Sequence, residues 1–152
     1  MEFIMFLDKI EIEIINLIEK SGYSTEENTP LCLLGKDYMG FFKKRQKKIV
    51  ICTNNAKGRE GYKSLRRKDN DSYERTAKHI KKALRHEAVH VAQECNNGKL
   101  LETRKNLTMN PAKRHALEGS TMISGAREKE IQAYILEDKP KMIRKELKKY
   151  CL

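Results

Sequence analysis

The chain has 152 residues and a formal net charge of +11 at pH 7, and 39% of its residues are hydrophobic. A chain of this length buries one core but is too short for two well-packed ones, so we expect a single domain over residues 1–152. No run approaches the roughly 20 apolar residues that are needed to span a bilayer, which argues against a membrane protein.

The charge is unevenly distributed along the chain. Residues 1–30 hold two lysines against seven acidic residues, so they carry −5 while the remainder carries +16. A basic body of this kind attracts nucleic acid, anionic surfaces or acidic protein substrates, and it does not choose among them. Most of the excess lies in the runs 43–48, 66–68, 78–85 and 139–149.

The cysteines are predicted to be reduced and mostly buried. They are far apart, show no CxxC spacing, and belong to a chain too large to need disulfide staples. At the N-terminus, charged residues interrupt the apolar positions and no small-residue cleavage site follows, so we expect a structural helix and no signal sequence. These features predict a cytoplasmic protein. The four cysteines are Cys32, Cys52, Cys95 and Cys151.

An amphipathic, acidic helix is predicted over residues 1–22. Apolar residues recur at spacings of three and four over residues 3–18, and Gly22 ends the pattern. Two polar stretches, residues 24–30 and residues 54–71, are predicted to be loops, and the second is long enough to suggest a functional or mobile segment.

A β-hairpin is predicted over residues 38–53. Residues 38–42 and 49–53 are strand-like, and the second run is β-branched at its first three positions. A short basic stretch joins the two runs, and its length suits an antiparallel pair.

The longest predicted helix covers residues 71–96. Asp71 and Glu74 form a capping box, and apolar positions then recur at helical spacing, without Pro or Gly, as far as Cys95. The Asn-Asn-Gly sequence at 96–98 ends the helix.

Further helices are predicted towards the C-terminus. A short one covers residues 111–117, and residues 126–150 form helices that are broken or restarted at Pro140. Together these elements predict an α+β fold that is mainly helical, with a small antiparallel sheet or hairpin packed on the central helix.

The central helix carries the sequence HEAVH at residues 86–90, which has the spacing of a metal site. His86 and His90 lie one turn apart, so both imidazoles can reach one metal ion at about 2.0–2.1 Å. Glu87 is turned about 100° around the axis. Its carboxylate then lies beside the metal, where it can accept a proton from a water that attacks a carbonyl. The alternative is two histidines on a solvated helix face.

A third ligand must come from elsewhere, because a catalytic zinc takes three protein ligands and leaves one position open. We rank Glu130 first, since it opens a helix that could cross the motif helix, and Glu128 second. For either acid, the alternative is a solvent-facing carboxylate. Three weaker candidates are Glu118, His115 and Glu137.

Three other residues attract attention but are given lesser roles. His79 lies two helical turns before the motif, about 10.5 Å away along the axis, so it cannot share a metal with His90 and is expected at the surface or in a cleft. Cys95 is predicted to be a packed thiol. Tyr134 could donate a hydrogen bond to a developing oxyanion, although packing in the core or at its rim is the alternative.

Residues 84–90, followed about forty residues later by residues 130–134, resemble the zincin metallopeptidases. The chain is most similar to gluzincins, where a Glu on a following helix, in an E-x-x-A setting, completes the zinc site. The resemblance implies that His86, His90 and Glu130 bind Zn²⁺ and that Glu87 is the general base for hydrolysis of a protein or peptide. Small HEAVH proteins of bacterial and phage genomes are similar.

The resemblance covers about residues 38–137 in the order of elements, and it also implies how substrate binds. In zincins an edge strand pairs with extended substrate, and residues 38–42 or 49–53 could supply that strand by strand addition. The chain differs from better-known relatives because it has no third His at the metzincin spacing, no Asn-Glu pair at the thermolysin spacing and no Met-turn.

Three other functions remain open from the sequence: a basic nucleic-acid-binding protein with a non-catalytic metal site, a DNA-associated protease, and a zincin fold that has lost turnover. Structural zinc sites usually have four ligands, often cysteines, and no cysteine here lies at ligand spacing. The basic runs also contain few of the aromatic residues that stack on bases. Both observations favour the hydrolase. The sequence predicts no oligomeric state.

Overall fold

A computed structural model describes residues 1–62, 70–102 and 127–152 of the chain. The predicted short helix at 111–117 and the ligand candidates His115 and Glu118 lie outside these residues. The described helices are α1 (Lys9–Lys20), α2 (Thr53–Glu60), α3 (Asn70–Cys95), α4 (Arg127–Leu136) and α5 (Pro140–Cys151), and the strands are β1 (Ser24–Glu27), β2 (Gly40–Lys43) and β3 (Lys48–Ile51). Short 3-10 helices cover Glu2–Phe6 and Pro30–Leu34.

The predicted N-terminal helix is wrong as a single element, because the chain breaks between the 3-10 helix Glu2–Phe6 and α1. The cause is a capping box, in which the Asp8 N–H donates to Glu11 Oε1 at 3.2 Å and the Asp8 side chain accepts from the first turn of α1. Helix α1 ends at Lys20, and Gly22 follows two residues later with a φ of +89°, in the left-handed region, as expected for the end of the helix.

The sheet has the order β1-β3-β2, with β3 in the centre. Strands β2 and β3 form the predicted antiparallel pair, with Gly40 opposite Ile51. Strand β1 runs parallel to β3, so the prediction of a loop at 24–30 is wrong for residues 24–27. Its Ser-Thr-Glu-Glu sequence has no apolar alternation, and backbone pairing holds it together with side-chain contacts from Glu26 to Lys48 and from Glu27 to Thr53.

The prediction of a loop at 54–71 is wrong where helix α2 forms, as far as Glu60. Residues 63–69 of that segment lie outside the described part of the chain. The sequence of α2 is polar, so tertiary contacts stabilise it: Ala56 is buried, and the Asn55 side-chain amide donates to three backbone carbonyls of the preceding segment. Gly61, with a φ of +66°, ends the helix.

Helix α3 is the centre of the fold. It starts at Asn70, so Asp71 lies in the first turn and does not cap the helix as predicted. It ends at Cys95, and Asn97 and Gly98 follow with positive φ, as the sequence indicated. Helices α1, α2, α4 and α5 and strands β2 and β3 all pack against α3. Its fully or almost fully buried residues include Ala77, Ile80, Leu84, Ala88, Val89, Val91 and Ala92.

All four cysteines form disulfides, so the prediction of reduced thiols is wrong. Cys32 pairs with Cys52, and Cys95 pairs with Cys151. Tertiary packing brings each pair together: the first joins a 3-10 helix to the end of β3, and the second joins the C-terminal ends of α3 and α5. The Cα atoms are 5.6 and 5.1 Å apart, within the range that a disulfide spans.

The described architecture is the predicted one, a mainly helical α+β fold, with a mixed sheet of three strands in place of a simple hairpin. Pro140 restarts the C-terminal helix as expected. No described helix combines the length and the apolar character that crossing a membrane requires. Strand β2 and helix α4 both lie against α3, and this crossing of elements builds the site.

Candidate metal centre

The two motif histidines lie on the buried face of α3. His86 is 7% exposed and His90 is 6% exposed, and their ring centroids are 5.1 Å apart. They are directed inward because the residues around them, such as Leu84 and Val89, belong to the core face of the helix. The alternative of two histidines on a solvated face is therefore wrong.

Helix α4 brings Glu130 to these two rings. Glu130 is buried, although its neighbours in the sequence are charged. Its Oε2 lies 3.0 Å from His86 Nε2, and its Oε1 lies 2.9 Å from His90 Nε2. One ligand atom from each of the three residues falls within 4.8 Å of the others, so the group could hold a metal ion. Glu128 is exposed and does not join them.

The charges within this group are coupled. Burial alone would lower the pKa of His86, but hydrogen bonds to Glu130 and Glu137 raise it to about 10. Burial alone would raise the pKa of Glu130, but the adjacent rings of His86 and His90 hold it well below its usual range. The buried imidazolium of His86 and the buried carboxylate of Glu130 therefore lie where a metal ion would bind.

The donor set fits a divalent metal. His90 Nε2 lies 2.9 Å from Glu130 Oε1 without the alignment of a hydrogen bond, so this buried nitrogen has no hydrogen-bond partner among the described residues. A buried polar atom without a partner is costly, and coordination would satisfy it. Two imidazole nitrogens and one carboxylate form a ligand set that zinc uses in catalytic sites.

Glu87 is buried beside the group, and β2 determines its position. A Cβ added at Gly40 would lie 3.3 Å from Glu87 Oε1 and 3.0 Å from the Val50 carbonyl oxygen. Gly40 therefore leaves the room that the Glu87 carboxylate occupies. Burial raises the pKa of Glu87, and the charges of His86 and His90 oppose this shift.

Other side chains surround the two imidazoles. Glu137 is buried, with Oε2 3.4 Å from His86 Nδ1, the ring nitrogen that faces away from Glu130. It was a weak candidate for the third ligand, and the structure places it behind a ligand instead. Its spacing of seven residues from Glu130, two helical turns, is the sequence signal that could have identified it. Phe42 stacks on His90 at 5.6 Å.

The remaining candidates lie at or outside the edge of the group. The Tyr134 ring packs on His86 with centroids 4.4 Å apart, so packing describes its position, and its predicted role with an oxyanion stays untested. His79 Nε2 lies 2.8 Å from Glu60 Oε1 in a partly exposed pair, as expected for a histidine apart from the metal. Cys95 is in a disulfide.

Strand β2 presents a free edge at the site. The Met39 carbonyl accepts from the Cys52 N–H at 2.8 Å. Because bonded and non-bonded pairs alternate in an antiparallel ladder, the backbone groups of Gly40 and Phe42 are directed away from β3. Among the described residues, no strand pairs with this edge. An unpaired row of N–H and C=O groups thus lies next to Glu87.

No curated protein matches the chain, and no solved structure matches it. Residues 3–152 match a family described as a domain of unknown function, DUF8637. The match spans nearly the whole sequence and includes the helices that carry the candidate metal group. The chain therefore belongs to the DUF8637 family.

Proposed function

We propose that this protein is a zinc-dependent hydrolase that cleaves peptide bonds. The observation that carries the proposal is the convergence of His86, His90 and Glu130 into one buried group with the Glu87 carboxylate buried beside it. Three protein ligands among the described residues would leave a position open, which is typical of catalytic zinc sites and not of structural ones. A resemblance to zincins rests on the same residues.

Zinc is the metal that this donor set favours. Imidazole nitrogens suit zinc better than the hard cations magnesium and calcium, which prefer all-oxygen ligands. When bound, zinc would polarise a carbonyl and increase the acidity of water at the open position. No described cysteine is free to replace a ligand, because all four are in disulfides.

Glu87 is the proposed general base. Burial raises its pKa, and a higher pKa makes a carboxylate a stronger proton acceptor. Gly40 leaves room for its carboxylate beside the ligands. The base would accept the proton as water attacks and then return it to the leaving amine.

Strand β2 is the proposed substrate strand. The sequence left two candidates, residues 38–42 and 49–53. The sheet order favours the first, because β3 is paired on both sides whereas no strand in the described part of the chain pairs with the outer edge of β2. The outward groups of Gly40 and Phe42 can pair with an extended peptide, and pairing would hold its scissile bond near Glu87.

Acidic peptides are the proposed substrate class. The turn between β2 and β3 exposes Lys44, Arg45 and Lys47, and only Lys44 has a described ion pair, with Glu94. These cations lie at one end of the strand that would bind the peptide. Their field would favour acidic side chains at that end and disfavour basic ones.

Nucleic-acid binding has less support from the described residues. On α3, three basic side chains are paired with carboxylates and are not free for phosphates. These pairs are Arg75 with Glu60, Lys81 with Asp8, and Arg85 with Glu11. Binding to DNA stays a prediction, and loss of binding with rising salt would test it.

The compartment is a separate proposal. The expectation of a cytoplasmic protein relied on reduced thiols, but the two disulfides are typical of oxidising compartments. We therefore propose that the chain folds in an oxidising environment. Alkylation of free thiols before mass spectrometry of protein from its native source would show either four blocked cysteines or, against the proposal, four free ones.

Metal analysis of four proteins, with a cleavage assay, tests the proposed function. Wild type should contain about one zinc per chain, Glu130→Ala should lose it, and Glu128→Ala should keep it, because Glu128 is the exposed acid of the same helix. Glu87→Gln should keep the metal and lose cleavage of an acidic model peptide. Absence of stoichiometric zinc in wild type, or undiminished cleavage by Glu87→Gln, would contradict the proposal.

A further inference from the structure

The side-chain amides of Gln93 and Gln132 form a series of hydrogen bonds that ends at His90 Nδ1, the ring nitrogen facing away from Glu130. His90 Nδ1 lies 2.8 Å from Oε1 of Gln93, which is one turn further along α3. Gln93 then reaches α4, because its Nε2 lies 3.1 Å from the Lys129 carbonyl oxygen and 3.0 Å from Gln132 Oε1. Gln93 is 1% exposed, so bulk water does not compete for these contacts.

Backbone groups that contact the two amides determine which way round each amide is oriented. The Leu101 N–H donates to Gln132 Oε1 at 2.9 Å, and Gln132 Nε2 donates to the Leu101 carbonyl oxygen at 2.8 Å. A backbone N–H can only donate and a carbonyl oxygen can only accept, so the Gln132 amide cannot be reversed. The Gln93 amide is fixed in the same way, since its nitrogen faces the Lys129 carbonyl.

The tautomer of His90 follows from this order. Gln93 Oε1 can only accept, so His90 Nδ1 must donate to it. A neutral imidazole that donates through Nδ1 presents a lone pair at Nε2. That nitrogen is the one that faces Glu130 at 2.9 Å and has no hydrogen-bond partner among the described residues.

We propose that Gln93 and Gln132 are positioning residues for the metal centre. They hold the His90 ring so that Nδ1–H donates to Gln93 and Nε2 is directed at Glu130, and they join α3 to α4. The proposal rests on the proposed metal site, and it adds that the site is organised in the metal-free protein. Loss of such an outer contact typically weakens metal affinity about 10- to 100-fold.

Three substitutions separate positioning from general packing. Gln93→Leu keeps much of the side-chain volume but cannot accept from His90. Gln93→Glu keeps an acceptor at the same reach. Gln132→Leu leaves the Gln93 acceptor in place but removes one of the two groups that orient it, so a smaller effect is expected. Glu128→Ala on the exposed face of α4 is the matched control.

The test combines nitrogen NMR of the metal-free full chain, labelled at its four histidines, with a competition titration against zinc. Wild-type His90 should show a protonated Nδ1, as its contact with Gln93 Oε1 requires. Gln93→Leu should lose this preference and bind zinc about 10- to 100-fold more weakly. Gln93→Glu should restore the tautomer, and the control should match wild type.

A wild-type His90 without a proton at Nδ1 would overturn the proposal, as would a Gln93→Leu variant with unchanged Nδ1 protonation and unchanged zinc affinity. If Gln93→Leu does not fold, Gln132→Leu and Gln93→Glu carry the same test. Failure of the proposed function is distinguishable, because a wild type with the expected tautomer that binds no zinc would refute the metal centre while the two amides still position His90.

Discussion

Gly40 of β2 offers a sharp test of how the sheet and the metal helix fit together. In Gly40→Ala the added Cβ would lie 3.0 Å from the Val50 carbonyl oxygen and 3.3 Å from Cγ and Oε1 of Glu87. The first contact is with backbone and cannot relax by rotation of a side chain. The second lies against the proposed base.

The expected cost of this overpacking is about 1–3 kcal/mol of unfolding free energy. For a chain of this size, that change lowers the melting temperature by about 2–12 °C. If the Glu87 carboxylate moves by about 1 Å, peptide cleavage should fall about 100-fold. Zinc content should not change, because the three atoms nearest to the new methyl group belong to Val50 and Glu87 and not to the candidate ligands.

Gly58→Ala is the matched control. Gly58 lies inside α2, and nothing lies within 4 Å of the Cβ that would be added there. Alanine is the better helix former, so this variant should be more stable than wild type by about 0.4–1 kcal/mol. The same substitution thus has opposite expected signs at two glycines, and thermal unfolding followed by circular dichroism measures both.

A second comparison isolates the contact with Glu87. In a Glu87→Ala background, Gly40→Ala should cost less than it does in wild type, because only the clash with the Val50 carbonyl oxygen remains. The difference between the two costs is the coupling energy of the pair. Equal costs in both backgrounds, or a Gly40→Ala protein with wild-type stability and cleavage, would refute this account of the site.

Two further predictions concern protons and disulfides. Hydrogen bonds raise the pKa of His86 to about 10 in the metal-free protein, so the ring is protonated at pH 7. Binding of zinc should therefore release about one proton, and affinity should rise with pH up to about pH 10. Calorimetry in buffers of different ionisation enthalpy would measure the release, and binding without proton release would contradict the prediction. Replacing the Cys95–Cys151 pair by serines should cost about 1 kcal/mol more stability than replacing the Cys32–Cys52 pair, because the bridged residues are 56 apart in one case and 20 in the other. Chemical denaturation of the two double variants measures the difference, and equal losses would count against the loop-length argument.

The sequence predicted those parts of the fold that depend on local periodicity. The spacing of apolar residues predicted α3, and the Asn-Asn-Gly sequence predicted its end. The hairpin was predicted from β-branched residues. Strand β1 and helix α2 were not predicted, because neither carries an apolar pattern of its own. Backbone pairing with β3 holds β1, and the Asn55 amide helps to hold α2, so both depend on distant parts of the chain.

The candidate site, like the fold, was predicted from the sequence only where the signal is local. Within α3 the spacing of His86 and His90 fixes where their rings point, so a pattern of five residues was enough to identify them. Ranking Glu130 first required only that a following helix cross α3, and the structure places that carboxylate between the two rings. The disulfides were not predictable, because no spacing in the sequence indicates that the ends of α3 and α5 are neighbours.

The residues around the ligands could not be predicted from their spacing in the sequence, because they come together only where the sheet, α3 and α4 meet. Gly40 matters only because β2 passes close to Glu87, and Gln93 matters only because Gln132 of α4 is opposite it. Their chemistry is ordinary in isolation: a glycine in a strand and glutamines on two helices. Since these contacts set the position of the base and the tautomer of His90, the metal centre as proposed forms only when the sheet, α3 and α4 are assembled. Substitutions at these positions should therefore affect the site more than their sequence context suggests.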